Sequence, residues 1–410
     1  MVVAVGVLAA ALLLPGGAFA ANGHANFHAV CPAPPARAAH CHALVVTDAH
    51  GNPDAALAPT GLSPAQITSV YNFPTSNTAG SGQTIAIVDA YDDPTAESDL
   101  GVFSSQFGLP ACTTANGCFS KVDQNGGTSY PAADGGWALE ISLDIQWAHA
   151  IAPGAKILLV EAASNSFGDL LVAEDYAKAH AQYVSNSWGA SEFLGESSFD
   201  SHFVQSGVSV FVSAGDNGTP AEYPSSSPNV ISVGGTSLYF TSTGAFQDET
   251  AWSSGGGGCS ALETAAAAQS AFAQYAQVNC GGRRATPDLS LDADPASGVS
   301  VYDTTPYGAL NETGWFKVGG TSASSPMIAA RSAVAGVVVN AAYVYGNSIS
   351  YRDITSGNNR AVCLIGFDLC SGRGSWTGGG TPAPTISSFG PTSGPVGTTV
   401  VINGTGFAGT

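Results

Sequence analysis

Positive charge is scarce in this chain of 410 residues: Lys and Arg together number 11 against 30 Asp and Glu, for a formal net charge of −19. Nucleic acids and anionic bilayers are bound through basic surfaces that release or attract counterions, so this composition speaks against both as partners. What it favours is acid. As pH falls through the carboxylate range the negative charge is neutralised, and with so few Lys and Arg there is little positive self-repulsion to unfold the chain. Two other things are missing. No Cys-x-x-Cys pair or nearby His in ligand register accompanies the cysteines, which sets zinc aside. No apolar run reaches a clean membrane span either. The run from Met327 to Tyr345 comes nearest, but Arg331 and Asn340 interrupt it, so it predicts a buried central helix.

The N-terminus carries a short apolar run followed by Ala18-Phe19-Ala20, which predicts a signal peptide over residues 1–20, although no Lys or Arg precedes the run. Export and a secreted, extracellular location follow. The eight cysteines fall as four close neighbours in sequence, Cys31/Cys41, Cys112/Cys118, Cys259/Cys280 and Cys363/Cys370. After a signal peptide that pattern reads as disulfides, with the connectivity open.

Residues 21–65, rich in Ala, Pro and His without periodicity, read as an N-terminal arm. From there "TIAIVDA", "KILLVEA", "AQYVSNSW", "VSVFVSAG" and "VISVGG" read as buried strands separated by helical patterns, which predicts an α/β domain over 66–376 with a mostly parallel sheet and helices on both faces. Ligands of such sheets gather at the carboxyl ends of the strands, where Asp89, Ser187, Trp188 and Asp216 fall. Beyond Trp376 the texture changes: 377–384 is a Gly/Pro linker, and 385–410 alternates like the first strands of a β-sandwich, far short of the ~100 residues such a core needs.

The chemistry centres on "GGTSASSPMIAA", residues 319–330. The Gly-Gly turn and Ser/Thr cluster before Pro326 and an apolar run read as a loop entering a buried helix, with Pro326 in its first turn. Ser and Thr there have an ordinary use as helix caps, so the string alone does not name a nucleophile. A serine nucleophile needs a base, and the histidines supply none in a suitable setting: "AHGN" at 49–52 lies in the arm, and His149, His180 and His202 sit in helical stretches. The carboxylates do better. "WALEISLDIQWAHAIAPGA" is helical, with Glu140 and Asp144 one turn apart on one face, and Trp137, Leu139, Ile141, Leu143, Ile145 and Trp147 make that helix apolar nearly all round. Buried Asp and Glu need a reason, and two carboxyls so close share protons. Asp216 in "VSVFVSAGDNG" would pass for a turn residue if it stood alone.

It does not stand alone. "ALEISLD", "SAGDNG" and "GGTSASSP", in that order, resemble the three signature blocks of the sedolisin family, serine-carboxyl peptidases with a subtilisin-like fold, and the likeness runs from about Gly61 to Gly374. The resemblance implies Ser322 as nucleophile, Glu140 as general base, Asp144 as its partner and Asp216 as the oxyanion-hole acid. Asp89 and Trp188 match positions that extend the network behind the dyad in some members. It also implies a Ca²⁺ site in "YRDITSG" and "GFDLCSGRG", with carboxylates from Asp353 and Asp368 and carbonyls from Ile354 and Gly366; Leu364 stands where the family usually has another glycine. The arm is shorter than the family's long folded propeptide. The C-terminal segment resembles the opening of an IPT/TIG immunoglobulin-like module.

The expectation is therefore a secreted, monomeric acid endopeptidase acting on proteins or peptides through an acyl-enzyme on Ser322. The competing reading is an inactive surface binding protein on a peptidase-like scaffold. A histidine-dependent subtilase fails for want of a suitably placed histidine.

Overall fold

The computed structural model describes residues 26–346 apart from residue 36, residues 351–377, and part of 385–405. The expected signal peptide and most of the linker lie outside the described residues. Among the described residues no helix is long and apolar enough to cross a membrane.

Three short strands come from the arm: β1 (Phe27–Ala29), β2 (His40–Cys41) and β3 (Leu44–Val46). Helix α1 (Pro64–Tyr71) follows, started by a capping box between Ser63 and Gln66. The central sheet is built from β4 (Thr84–Ala90), β5 (Phe119–Asp123), β6 (Lys156–Ala162), β7 (Tyr183–Asn186), β9 (Ser209–Ser213), β11 (Ile231–Phe240) and β12 (Phe246–Ala251), in the order β12-β11-β9-β7-β4-β6-β5. All its pairings are parallel except β11 with β12, and β15 (Leu289–Asp292) adds a further parallel partner to β11. The near-continuous apolar runs of β4 and β6 follow from this arrangement, because a parallel strand is covered on both faces.

Outside the sheet, β8 (Trp188–Ser191) pairs with β10 (Glu222–Tyr223) on one side and with β2 of the arm on the other. Strands β13 (Gly258–Thr264) and β14 (Arg283–Thr286) form a ribbon; β16 (Val299–Tyr307) and β17 (Glu312–Gly319) form a hairpin that β3 extends. The arm is thus stitched into the fold at two places. Near the C-terminus, β18 (Tyr351–Arg352) pairs with β19 (Ser375–Trp376), and β20 (Thr385–Gly390) with β21 (Val401–Thr405).

Helices α2 (Ala96–Phe107), α3 (Gly135–Ile151) and α4 (Phe167–His180) connect the strands, with one turn, α5 (Ala267–Ser270), before α6 (Thr321–Ala335) and α7 (Ala341–Gly346). Helix α3 starts where the Asp134 carboxylate accepts the N–H groups of Gly136 and Trp137, and every residue from Gly136 to Ile151 is buried. It packs against α6, so the two helices that carry Glu140, Asp144 and Ser322 face each other.

Two expectations need correction. The apolar run from Met327 to Tyr345 is not one helix: α6 ends at Gly336, whose φ of 64° gives the left-handed cap, and α7 begins five residues later. The Ser/Thr cluster, too, is not a loop ahead of the helix. It is helix from Thr321, with Pro326 inside it. The structure joins all four close cysteine neighbours as disulfides: Cys31–Cys41, Cys112–Cys118, Cys259–Cys280 and Cys363–Cys370.

Candidate active site

Because α6 begins at Thr321, Ser322 occupies its first turn, where backbone N–H groups have no partner within the helix. No Ser or Thr side chain caps that end. The Asp216 carboxyl reaches it from the loop after β9, accepting the Thr321 N–H at 2.8 Å and the Thr321 hydroxyl at 2.9 Å through Oδ1. Its other oxygen, Oδ2, is buried and has no hydrogen-bond partner among the described residues. Burial raises this carboxyl to about pH 7, with the positive His42 opposing the shift, so below neutrality Asp216 holds a proton that it can donate.

Glu140 and Asp144 on α3 are both fully buried, as is Asp89 at the carboxyl end of β4. Among the described residues none of their six carboxyl oxygens closes a well-formed hydrogen bond, although the Ser187 hydroxyl is near enough to Asp144 to oppose its shift. Burial raises Glu140 well above the carboxylate range, and the charges of Asp144 and Asp89 add to this; the Ser322 hydroxyl works against the shift without closing a well-formed hydrogen bond. Asp144 and Asp89 are raised by burial too, Asp89 also by Asp144. Three buried carboxyls whose charges act on one another form one proton-holding cluster, and its titration belongs to the group rather than to any member. The Ser322 hydroxyl donates to Ser187 O at 3.3 Å. The Trp188 indole N–H donates to Val88 O at 2.9 Å, so Trp188 ties β8 to β4 beside Asp89 and does not touch the dyad through that group.

No motif marks the arm as running through this site. His40 and Cys41 pair antiparallel with Gly189 and Trp188, and the His42 N–H donates to Ser187 O at 3.0 Å. The Ser322 N–H then donates to the His42 carbonyl oxygen at 3.1 Å. Leu44 and Val45 continue by pairing with Gly319 and Val318, just ahead of the nucleophile. Gly320, with φ of 95°, is required where they meet, since a Cβ there would lie 2.0 Å from His42 O and 2.6 Å from Asp216 Oδ2. Those two contacts put the unpartnered acid oxygen and the carbonyl oxygen on the same side of Gly320. His42, Ser213 and Glu222, which line this cleft, were missed because no local motif marks them.

The residues expected to hold Ca²⁺ gather around the turn 364–368. Asp368 is buried and accepts the N–H groups of Leu364, Cys370 and Ser371; Asp353, exposed, accepts the Gly366 N–H at 2.9 Å. Leu364 is not among the residues of positive φ, whereas Gly366 has φ of 84°. No hydrogen bond among the described residues ends on the carbonyls of Ile354 or Gly366. An all-oxygen donor set with two unused carbonyls fits a hard divalent cation.

The Subtilase family, Peptidase S8, matches residues 124–350. Kumamolisin from Bacillus sp. (strain MN-32) is 30% identical over 366 residues, covering 78% of this chain and 62% of that protein. Sedolisin from Pseudomonas sp. (strain 101) is 28% identical over 312 residues, covering 65% of this chain and 49% of that protein. The chain therefore spans less than two thirds of the length of these relatives. Among solved structures, Pseudomonas sedolisin, a serine-carboxyl proteinase complexed with two molecules of pseudo-iodotyrostatin, superposes with a TM-score of 0.64 at 27% identity, covering 78% of this chain and 96% of that one. With more than half of its length inside the family match, and with the sheet order and helix pair described above, the chain belongs to the subtilase family.

Proposed function

We propose that this subtilase is a secreted, acid-acting serine-carboxyl endopeptidase of the sedolisin type, with proteins or peptides as substrates. The observation that carries the reading is the Ser322 N–H donating to the His42 carbonyl oxygen at 3.1 Å, with the unpartnered Oδ2 of Asp216 on the same side of Gly320. Such donors stabilise the charge that develops on the carbonyl oxygen when a nucleophile adds to its carbon.

In this mechanism the Ser322 hydroxyl adds to the carbonyl carbon and passes its proton to the Glu140–Asp144 pair. The oxyanion is held by the Ser322 N–H and by protonated Asp216. The pair then gives the proton to the leaving amine, and water repeats the sequence in reverse to free the acyl group. Carboxyls suit acid because a histidine there would already be protonated and unable to accept, whereas a cluster of carboxyls that share protons titrates in steps, and its first step leaves a member able to accept while the rest stay protonated. Four disulfides support an oxidising, extracellular setting. Ca²⁺ in the 353–368 loops, held by Asp353, Ile354, Gly366 and Asp368, would supply a structural clamp and takes no part in the bond-breaking steps.

Hydrolysis of a denatured protein by the purified chain, compared with Ser322→Ala across about pH 4 to about pH 7, tests the reading. Ser322-dependent cleavage that is strongest on the acid side is expected. A Ser322→Ala variant that still cleaves, or a folded chain that cleaves nothing even when His42→Gly loosens the arm, rejects it in favour of a binding protein on a peptidase scaffold.

A further inference from the structure

The arm crosses the cleft as an extended peptide, hydrogen-bonded to β8 before His42 and to β17 after it. The residue whose carbonyl accepts the Ser322 N–H, on the side of Gly320 where Asp216 Oδ2 lies, is His42. The cavity that holds its side chain is thus the cavity that the corresponding side chain of any peptide bound in this direction would occupy.

That cavity is built to receive hydrogen-bond donors. His42 Nδ1 lies 2.7 Å from Ser213 Oγ, and Nε2 lies 3.1 Å from Glu222 Oε2. Ser213 donates its own hydrogen to Asn186 O, which leaves its oxygen to accept from Nδ1–H. Glu222 can only accept when ionised. With both ring nitrogens donating in this way the ring is an imidazolium, the form that the Glu222 carboxylate favours. Glycine on each side makes room: a Cβ on Gly189 would lie 2.8 Å from His42 Cε1, and one on Gly215 would lie 2.8 Å from Glu222 Cδ. His42 is 1% exposed and Glu222 7%. The other groups facing the pair are His40, whose Nε2 is 4.0 Å from Glu222 Oε2, Asn217, which donates to Glu222 Oε1 at 3.4 Å, and Asp216. Burial disfavours a charged His42, yet the bond to Glu222 and its charge outweigh this and leave His42 raised; the same contacts hold Glu222 below its usual value, although burial pushes it up. The cavity therefore pairs a cation with a carboxylate.

We propose that Ser213 and Glu222 form a specificity pocket for an imidazolium or other compact cationic side chain at the residue whose carbonyl is attacked. The inference rests on the peptidase reading of Ser322 and names its substrate class. An apolar side chain of the same volume would leave Ser213 without its donor and Glu222 buried without a counter-charge, and sites built for polar partners discriminate strongly against analogues that lack them.

The test uses peptides that differ only at that residue, His, Lys, Phe or Leu, with kcat/KM measured at about pH 5, where a free imidazole is charged. His42→Gly is the background, so that the arm's own side chain vacates the pocket. The His peptide is expected to exceed the Leu peptide by at least about tenfold, and Glu222→Gln to bring that ratio down toward one. Should Glu222→Gln fail to fold, Ser213→Ala removes one acceptor without stranding a charge and should lower the ratio severalfold. A preference for Leu or Phe, or a His preference that survives these substitutions, overturns the pocket. If no cleavage depends on Ser322, the peptidase reading falls by itself, and the pocket is judged on binding of product-like peptides ending in His or Leu to Ser322→Ala in the same background. Equal affinity, including no affinity for either, then overturns it.

Discussion

The backbone N–H of Ser322 donates to the carbonyl oxygen of His42, 280 positions earlier in the sequence, at 3.1 Å. An N–H freed by the start of a helix finds its partner in the arm, and the arm thereby fills the place where a substrate carbonyl would sit. The relationship joins a local property, the unpaired donors of a helix first turn, to the threading of a remote segment.

Displacement of the arm should be eased by His42→Gly. This substitution deletes the hydrogen bonds to Ser213 and Glu222 and frees the backbone. Loss of about 1.4 kcal/mol of arm binding corresponds to a tenfold gain in access. Peptide turnover by His42→Gly is therefore expected to exceed that of wild type by about tenfold, read as kcat/KM under identical conditions. Equal rates would mean that the arm does not compete with substrate.

Asp216 is raised to about pH 7 by burial, which locates the alkaline limb of activity near neutrality. Asp216→Asn keeps a donor at every pH and should lose that limb while the acid limb, set by the Glu140 and Asp144 cluster, remains. Asp216→Ala should lose on the order of 100- to 1000-fold in turnover. A pH-rate series on both variants decides the matter, and an unchanged alkaline limb in the Asn variant would assign the titration to another group.

Stability should fall as pH rises from about 5 to about 8. Asp89, Glu140 and Asp144 are raised well above their usual range, Asp216 to about 7, and Glu161 and Glu174 to about 8, each chiefly by burial. The native state then holds more protons than the unfolded chain over this window, so the slope of unfolding free energy against pH is negative. His42, raised, acts in the same direction; His40, lowered to about 4, and His149, lowered, both chiefly by burial, act in the opposite direction, and Glu222, lowered, contributes only below the window. Melting temperatures measured across the window should decline, and a flat or rising curve would contradict the buried cluster.

Calcium should raise the melting temperature with concentration by binding only the native state. Asp353→Ala and Asp368→Ala should each abolish that dependence. Asp368→Ala should also lower the melting temperature in chelator, since Asp368 accepts three backbone N–H groups of its own loop. Identical melting curves of wild type with calcium and with chelator would remove the metal from this loop.

What the sequence determined by itself was the part governed by local periodicity. Seven-residue apolar runs such as Thr84–Ala90 and Lys156–Ala162 form buried strands because every face is covered. The i, i+4 spacing of Glu140 and Asp144 puts both on one face because an α-helix turns every 3.6 residues. The eight cysteines implied disulfides with their pairing open, and the fold decided it by bringing the neighbours' Cα atoms within 4.8 to 5.6 Å. Pro326 misled the reading of its helix, since proline is expected in a first turn and here lies inside, one turn after Ser322. The tertiary structure alone decided the rest. Asp216 caps a helix that starts 105 residues further along the chain, and His42, Ser213 and Glu222 meet only because β2 and β10 flank β8 and β9 ends beneath them. Contacts of that kind depend on which strands become neighbours, and no spacing within a single element encodes them.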